Sequence, residues 1–360
     1  MSARHLLISW AVILCCGCSS VEPLSIDCLR PAEISFPAEL RRVAIVNNAV
    51  ELPGPLEDPA TSSAGSEGKR GEIVARYSGS TRLTAESLSE AIADEDYFDE
   101  VIICDSALRA QDSIFRPTEL SRGEVARLAW QLGADVLIAV EALPIHTVER
   151  VEFDPYDDMY RATLDVKLFP VIRVYISGRT SPMATVVATD SIYFEAYGLS
   201  SWEARESLYT TGEMLAEVSR YAGETAARRL LPYWQTVERQ MFTGGNSRMR
   251  DAAVYARRNQ WTKAIDIWQQ LYNDKTGRRS RLRTAHNMAI GYEMCDSITD
   301  ALTWAERARD LSTEIYGPPS DDIETTHPYS QLIHDYCDEL SRRRREAAIL
   351  QAQMKRLEEE

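Results

Sequence analysis

The 360-residue chain is short of positive charge: 40 Lys and Arg residues stand against 55 Asp and Glu residues, a formal net charge of -15. A nucleic-acid interface needs a concentrated basic surface, so this balance argues against nucleic acid as a partner. The chain also lacks a long apolar run. Its longest one, Leu6–Cys16, covers eleven residues, whereas a spanning helix needs about 20. We therefore expect no spanning helix.

Recognisable catalytic motifs are missing as well. The chain has five histidines, none in an H-E-x-x-H or paired-ligand spacing: His5, His146, His286, His327 and His334. No G-x-S-x-G, Walker A or G-x-G-x-x-G sequence occurs. We therefore predict a protein that is not an enzyme and that has no cofactor and no metal site.

The first residues are typical of a signal peptide, because an apolar run follows Arg4 and leads into small residues. Gly17 and Cys18 then resemble the lipobox of bacterial lipoproteins, in which the cysteine is acylated, with palmitate for example, and the peptide is cut before it. The resemblance implies a signal peptide over 1–17 and a lipid anchor at Cys18. Ser19 and Ser20 follow, with no Asp, which implies the outer membrane of a Gram-negative bacterium, in periplasmic or surface-facing orientation. The alternative is an ordinary secretory signal.

Residues 18–39 contain three prolines and predict an extended tether. Residues 40–235 predict an α/β domain, with a mixed sheet and helices packed on it. Its strands are predicted at Val43–Val46, Val101–Cys104 and Val136–Val140, the first and the last of them buried, with a long loop over 51–80. Ser121 and Glu124 form a predicted capping box. After an acidic loop at 149–158, two alternating segments separated by SGRTSP predict an antiparallel hairpin.

Beyond a predicted linker at 236–248, the composition turns helical and the sequence repeats with an offset of 37 residues over 249–318. Small residues at the expected helix crossings, with aromatic residues between them, follow the tetratricopeptide pattern. The residues predicted to pack the repeats are Ala252, Tyr255, Ala264, Trp268, Ala289, Tyr292, Ala301 and Ala308. Residues 319–360 predict a C-terminal helix. The sequence leaves open whether Cys295 and Cys337 pair.

Three stretches together resemble an uncharacterised family of tetratricopeptide-containing lipoproteins from Bacteroidetes. They are LRPAEISFPAELRRVAIVNN, YFDEVIICDS and the segment that runs from WTKAIDIWQQL to TAHNMAIGYEMCDSITDALTWAERA. The first domain more distantly resembles the α/β domain of the curli secretion-channel subunit and of lipoprotein activators of penicillin-binding proteins. The residues that carry this second resemblance are VAIV, FDEV and LGADVLIAVEAL. Neither resemblance implies catalytic residues.

The expected function is a non-enzymatic interaction or assembly module of the cell envelope, anchored at the outer membrane through Cys18, with another envelope protein as its partner. Two alternatives remain open. One is a glycan-binding or glycan-processing protein that uses the acidic loop 149–158, where Glu152, Asp154, Asp157 and Asp158 lie close in sequence. The other is a subunit of a secretion pore.

Overall fold

The structure is a computed structural model that describes residues 21–49, 54–55, 72–104, 107–109, 119–274, 277–320 and 326–358. The chain divides into two compact units. Among the described residues, the helical unit comprises those of 21–30 and 234–351, and the sheet unit comprises those of 31–233 and 352–358. Strands and helices alternate in the first part and the later part is all-helical, which confirms the predicted fold class.

The described elements are numbered here in chain order. The strands are β1 (Val21–Arg30), β2 (Arg42–Asn47), β3 (Gly54–Pro55), β4 (Glu72–Ser78), β5 (Glu100–Cys104), β6 (Val136–Ala142), β7 (Pro144–Asp154), β8 (Met159–Leu168), β9 (Val171–Ile176), β10 (Ala184–Val187), β11 (Asp190–Gly198) and β12 (Tyr233–Phe242). The helices are α1 (Thr81–Asp94), α2 (Arg122–Leu132), α3 (Ser201–Glu206), α4 (Thr211–Leu230), α5 (Ser247–Arg257), α6 (Trp261–Asn273), α7 (Arg278–Met294), α8 (Ile298–Tyr316) and α9 (Pro328–Glu358).

The first sheet of the sheet unit has the order β10-β9-β6-β2-β5, and β2 pairs in parallel with both β5 and β6. Strand β2 is buried on both faces. Val43 and Ile45 pack into one apolar cluster with α1, whereas Ala44 and Val46 pack into another with α2. A parallel strand covered on both faces needs a continuous apolar run, which is why Val43–Val46 could be recognised from the sequence.

The second sheet has the order β11-β8-β7-β4-β3, and its pairs are antiparallel. The predicted hairpin is divided between the two sheets. Strand β8 ends at Leu168 and β9 begins at Val171 in the first sheet, with Pro170 between them. Proline has no backbone N–H to continue a ladder, which explains the break. The turn at SGRTSP therefore joins only β9 to β10.

Helix α4 contributes to the cores of both sheets. Met214, Val218 and Ala222 pack with the second sheet, whereas Ala226 and Leu230 pack with the first. Its contact with α1 is close at Gly223. A Cβ built on this residue would lie 2.6 Å from the backbone nitrogen of Leu88 and 2.6 Å from the carbonyl oxygen of Thr84. The absence of a side chain at Gly223 therefore sets the spacing of the two helices.

We expect Gly223→Ala to lower the free energy of unfolding by about 1–3 kcal/mol, because the new methyl group meets backbone atoms that cannot turn away. The matched control is Gly212→Ala in the first turn of the same helix, where a Cβ would meet nothing within 4 Å. Gly212→Ala reduces the loss of backbone entropy on folding, and we expect it to raise the free energy of unfolding by up to about 1 kcal/mol. Urea denaturation measures both. Equal effects of the two substitutions would contradict the close helix contact.

In the helical unit, α5 to α8 pack around one apolar core. The repeat positions Ala252, Ala264, Ala289, Ala301 and Ala308 are fully buried, as is Trp268. Tyr255 and Tyr292 are partly buried against the same core. The first turns of α9 add Ile333, Cys337 and Leu340.

Two predicted connecting segments are wrong in part. The predicted tether 18–39 contains β1, which is hydrogen-bonded to β12, and Ile26 and Cys28 of β1 are buried. The predicted linker 236–248 contains most of β12 and the start of α5. In the first segment apolar and polar residues alternate from Leu24 to Cys28, which is typical of a strand despite the prolines, whereas the second segment has no such alternation before its glycine pair. Residues 18–20 lie outside the described residues.

Three further boundaries differ from the prediction. The predicted loop 51–80 contains β4 from Glu72. The acidic loop 149–158 is mostly the end of β7, followed by a tight turn with Asp158 at a φ of 53°. The predicted C-terminal helix 319–360 begins at Pro328, a residue that suits the first turn of a helix. Its residues up to Gln351 belong to the helical unit, and those from Ala352 belong to the sheet unit.

Candidate functional site

A cavity with a volume of about 1010 Å³ lies in the helical unit. We call it the groove. Residues Gln235 and Val237 to Gln240 of β12 form one wall, and α9 forms another from Pro328 to Arg342. His286 of α7 and Arg30 of β1 also line it. This volume is at the upper end of the usual range for small-molecule sites, about 300–1,000 Å³.

Strand β12 is held against α7 by side chains that bond to its backbone. The Asn287 side chain accepts from the Phe242 N–H at 2.9 Å and donates to the Phe242 carbonyl at 2.6 Å. Nε2 of His286 lies 2.9 Å from the Gln240 carbonyl oxygen. Because a carbonyl can only accept, Nε2 carries a proton in this hydrogen bond. The buried amide and imidazole thus complete hydrogen bonds that a neighbouring strand would otherwise make.

Beneath the groove is a buried ionic cluster centred on Glu293. Arg239 donates from Nε and Nη2 to the two Glu293 oxygens at 3.0 and 2.9 Å. Arg343 makes a second ion pair with the same carboxylate, and the Tyr336 hydroxyl donates to it at 2.7 Å. The side chain of Glu293 is 1% exposed and that of Arg239 is 8% exposed. The cluster is therefore shielded from water and held by charge-assisted hydrogen bonds.

Burial shifts two pKa values beside this cluster. It lowers the pKa of His286 from 6.5 to about 4, and the Arg239 charge acts in the same direction. It raises the pKa of the Tyr336 hydroxyl, an effect that the Glu293 carboxylate reinforces. Both groups stay uncharged at neutral pH. Within the described residues, Nδ1 of His286 has no hydrogen-bond partner, so its lone pair is an unused acceptor.

The rim of the groove carries charges of both signs, and its arginines are paired. Arg30 pairs with Glu339 and donates to the Gln235 amide oxygen at 2.9 Å, whereas Arg342 also pairs with Glu339. Two carboxylates differ. Glu238 and Asp335 are exposed, and neither forms an ion pair within the described part of the chain. Three arginines and three carboxylates line the groove, so their formal charges balance.

A second buried polar network lies in the sheet unit, near the carboxyl end of β6. Glu141 accepts from the Tyr175 hydroxyl at 2.9 Å and from the Asn48 amide at 2.9 Å, and Arg173 lies 3.6 Å away. Burial raises the pKa of Glu141. The carboxyl end of parallel strands is where open α/β sheets bind ligands. Here the described side chains bond mainly to one another, which favours a structural role.

The comparisons with known proteins concern both units. Residues 40–242 match the family model described as "Domain of unknown function (DUF8603)", which is more than half of the chain. The chain belongs to this family. Residues 250–342 match a second model, described as "Domain of unknown function (DUF6340)". None of the curated proteins matches the chain. The resemblance to an uncharacterised family is thus confirmed at that level.

The sequence-predicted site residues lie apart from the groove or outside the described residues. Cys18 belongs to the undescribed first residues. The eight repeat residues pack inside the helical core and are not among the groove's lining residues. Within the described residues, no helix is long and apolar enough to cross a membrane.

The acidic loop 149–158 does not bring its carboxylates together at one site. Glu149 pairs with Arg205 and Glu152 lies 3.9 Å from Arg161, while Asp154 accepts from the Tyr156 N–H at 2.9 Å. Among the described residues there is no group of three or more His, Cys, Asp and Glu side chains placed to hold a metal ion. The glycan-related function remains a prediction.

Sequence reasoning missed the groove, because its residues come from distant parts of the chain. Arg239, Glu293 and Tyr336 are separated by 54 and 43 residues at their hydrogen bonds. Residues 233–242 give no local sign of a strand, because their apolar residues stand at 233, 234, 237, 241 and 242 and do not alternate with polar ones.

Cys295 and Cys337 are both free thiols, the first exposed and the second buried. Burial raises the pKa of Cys337 to about 11, and thiolate is the reactive form. We expect Cys295 to react with Ellman's reagent at least about tenfold faster than Cys337 in the folded protein. Comparison of Cys295→Ser and Cys337→Ser variants assigns each rate, and equal rates for the two thiols would contradict their placement.

Proposed function

We propose that this protein is a non-enzymatic interaction module of the bacterial cell envelope, with a lipid anchor at Cys18 and a protein partner bound in the groove of its helical unit. The observation that carries the proposal is the groove itself. It is large, it is walled by a strand and a helix, and its arginines are already paired with carboxylates. Such a surface suits the recognition of a polypeptide better than the binding and conversion of a small charged substrate.

The resemblance of the repeat region to tetratricopeptide proteins supports the same proposal, because stacked helical pairs are used as binding scaffolds. The lipobox-like Gly17 and Cys18 support location at the outer membrane. Acyl chains contribute about 0.8 kcal/mol for each buried CH₂ group, so several chains would hold the protein firmly. In this proposal the anchor gives the location, and the groove gives the selectivity.

Membrane fractionation of Cys18→Ala tests the anchor. We expect the variant to leave the membrane fraction, because acylation would be abolished. The matched control is Cys16→Ala, which removes a neighbouring thiol of the same apolar segment and should leave the protein membrane-bound. A Cys18→Ala variant that stays with the membrane would contradict the anchor.

Pull-down from detergent-solubilised membranes tests the groove. Gln331→Trp places a large side chain at the groove wall, and we expect it to lose proteins that the unchanged chain enriches. The matched control is Gln270→Trp on an exposed face of α6, away from the groove lining. Equal enrichment by both variants would reject the groove as the partner site.

A further inference from the structure

Strand β11 lies at one edge of the second sheet and is long for an edge strand of this chain. It runs over nine residues from Asp190 to Gly198, and its pairing with β8 is regular along this whole length. The other edge strands of the two described sheets, β3, β5 and β10, have two, five and four residues. Proteins avoid pairing between sheets by short edge strands, lysine, proline or bulges, and β11 has none of these protections.

Two hydrogen bonds show which residues of β11 face away from β8. The Ala188 N–H donates to the Pro170 carbonyl at 3.2 Å, which continues the register in which Asp190 faces Leu168. Because the direction of the backbone groups alternates along a strand, the even-numbered residues of β11 bond to β8 and the odd-numbered residues point to the open edge. The Ser191 N–H agrees with this assignment, because it donates to the Asp190 carboxylate at 2.8 Å.

The open edge presents unpaired backbone groups at Tyr193, Glu195 and Tyr197. Within the described part of the chain, none of their backbone N–H and C=O groups takes part in a hydrogen bond. All three residues are exposed, and so are Leu199 and Trp202, which follow the strand closely in sequence. Exposed apolar and aromatic side chains thus gather near this edge, as on a surface that another polypeptide covers.

The sequence of β11 is complementary to itself about Phe194. When two copies of the strand lie antiparallel with Phe194 opposite Phe194, Tyr193 of each copy lies opposite Glu195 of the other. Both residues belong to the open edge, so they exchange their backbone hydrogen bonds, and no two carboxylates of the strands lie opposite each other. The same register places Ile192 opposite Ala196 on the inner face of the sheet. A register centred on Glu195 would instead oppose two negative charges, which is unfavourable.

The centre of this arrangement is aromatic. Phe194 is only partly buried, and its ring lies 4.9 Å from the ring of Tyr209, which is itself exposed. In the register about Phe194, the two Phe194 residues form a pair without backbone hydrogen bonds, and in such pairs the side chains approach most closely. A second copy would therefore cover apolar surface that one copy leaves in water.

We propose that β11 is the dimerisation strand of this protein and that it binds β11 of a second copy in antiparallel register about Phe194. The second sheets of the two copies then join into one continuous sheet across a two-fold axis. This dimer goes beyond the proposed function, and it depends neither on the groove nor on the anchor. A contact confined to one edge strand and its neighbours is small beside the roughly 1,200–2,000 Å² of a standard interface, so we expect a Kd on the order of 10 µM.

Sedimentation equilibrium tests the dimer on the whole chain in its Cys18→Ala form, in which no acyl group can hold copies together in a micelle. Both copies are acidic, so salt is kept at about 0.15 M to screen their repulsion. We expect the average mass to rise from monomer toward dimer between about 1 and about 100 µM.

A matched pair of variants at Glu195 separates strand pairing from other association. Glu195→Pro removes an N–H of the open edge, where an edge strand tolerates proline, and the two-fold symmetry removes its hydrogen bond twice. We expect it to weaken dimerisation at least about tenfold. Glu195→Ala removes the same carboxylate but keeps the N–H, and should dimerise like the unchanged strand. Circular dichroism verifies that both variants fold.

Amide hydrogen exchange of the unchanged strand gives a second measurement that needs no substitution. Over the same concentration range we expect exchange at Tyr193 and Glu195 to slow by about threefold or more, whereas Ile192 and Phe194, already bonded to β8, should change little. The proposal fails if the chain stays monomeric up to about 100 µM, if folded Glu195→Pro dimerises as well as Glu195→Ala, or if exchange at the open edge does not respond to concentration. If Glu195→Pro does not fold, the exchange measurement decides.

Discussion

Replacement of Glu293 by alanine is expected to lower the free energy of unfolding by about 3–5 kcal/mol. The substitution leaves Arg239 and Arg343 beside each other without their shared carboxylate, and it removes the acceptor of the Tyr336 hydroxyl. Both arginines are largely buried, with side chains 8% and 15% exposed, so water cannot replace the lost partner. Chemical denaturation at neutral pH, followed by circular dichroism, measures the loss.

The matched control is Glu22→Ala, which breaks an ion pair with Arg257 in the same unit. There the side chains are 35% and 49% exposed, and exposed pairs typically contribute about 1 kcal/mol or less. A third variant, Glu293→Gln, keeps an acceptor oxygen but removes the negative charge. We expect Glu293→Gln to lower the free energy of unfolding by more than Glu22→Ala and by less than Glu293→Ala. A loss of less than about 1 kcal/mol for Glu293→Ala would contradict the buried cluster.

The Glu293→Ala substitution should affect binding in the groove as well as stability. Arg239 belongs to β12, and its guanidinium lies 5.0 Å from the centre of the Tyr336 ring on α9. The cluster therefore fixes the strand wall of the groove relative to the helix wall. We expect Glu293→Ala to weaken binding in the groove together with stability, whereas Glu22→Ala should leave both almost unchanged.

Features set by local sequence could be predicted. Val43–Val46 is a continuous apolar run, as a strand buried on both faces requires. Ser121 and Glu124 do form the capping box, with the Glu124 carboxylate accepting from the Ser121 N–H at 2.8 Å. Gly133 ends the same helix at a φ of 63°, a conformation that glycine adopts without strain. Each of these signals lies within a few neighbouring residues.

Features set by distant contacts could not be predicted. The first half of Val21–Arg30 holds one proline and one glutamate beside two apolar residues, and its pairing with β12 makes the segment a strand of the core. Glu293 lies among residues of a helix whose polar and apolar positions are poorly separated. Nothing local marks this glutamate as buried, because its three partners come from β12 and α9. The ionic cluster around Glu293 therefore could not be predicted from the sequence.

We expect the free energy of unfolding to fall in acid because His286 is buried. The pKa of His286 falls from 6.5 to about 4 on folding, so the unfolded chain binds a proton that the folded chain does not. The stability associated with neutral His286 is thus present above pH 6.5 and is lost as the pH falls toward 4. A shift of about 2.5 units corresponds to about 3 kcal/mol. Unfolding free energies measured at intervals from pH 7 to pH 4 should show this loss.

The comparison variant is His286→Gln, because its side-chain amide can still donate to the Gln240 carbonyl but cannot titrate. Other acid effects occur in both proteins and cancel in the difference between them. The charges that face His286 are Arg239, which lowers its pKa, and Glu293, which raises it. Parallel stability curves for the two proteins would show that folding does not lower the pKa of His286. A difference growing by about 3 kcal/mol would show a neutral imidazole whose burial makes the groove sensitive to acid.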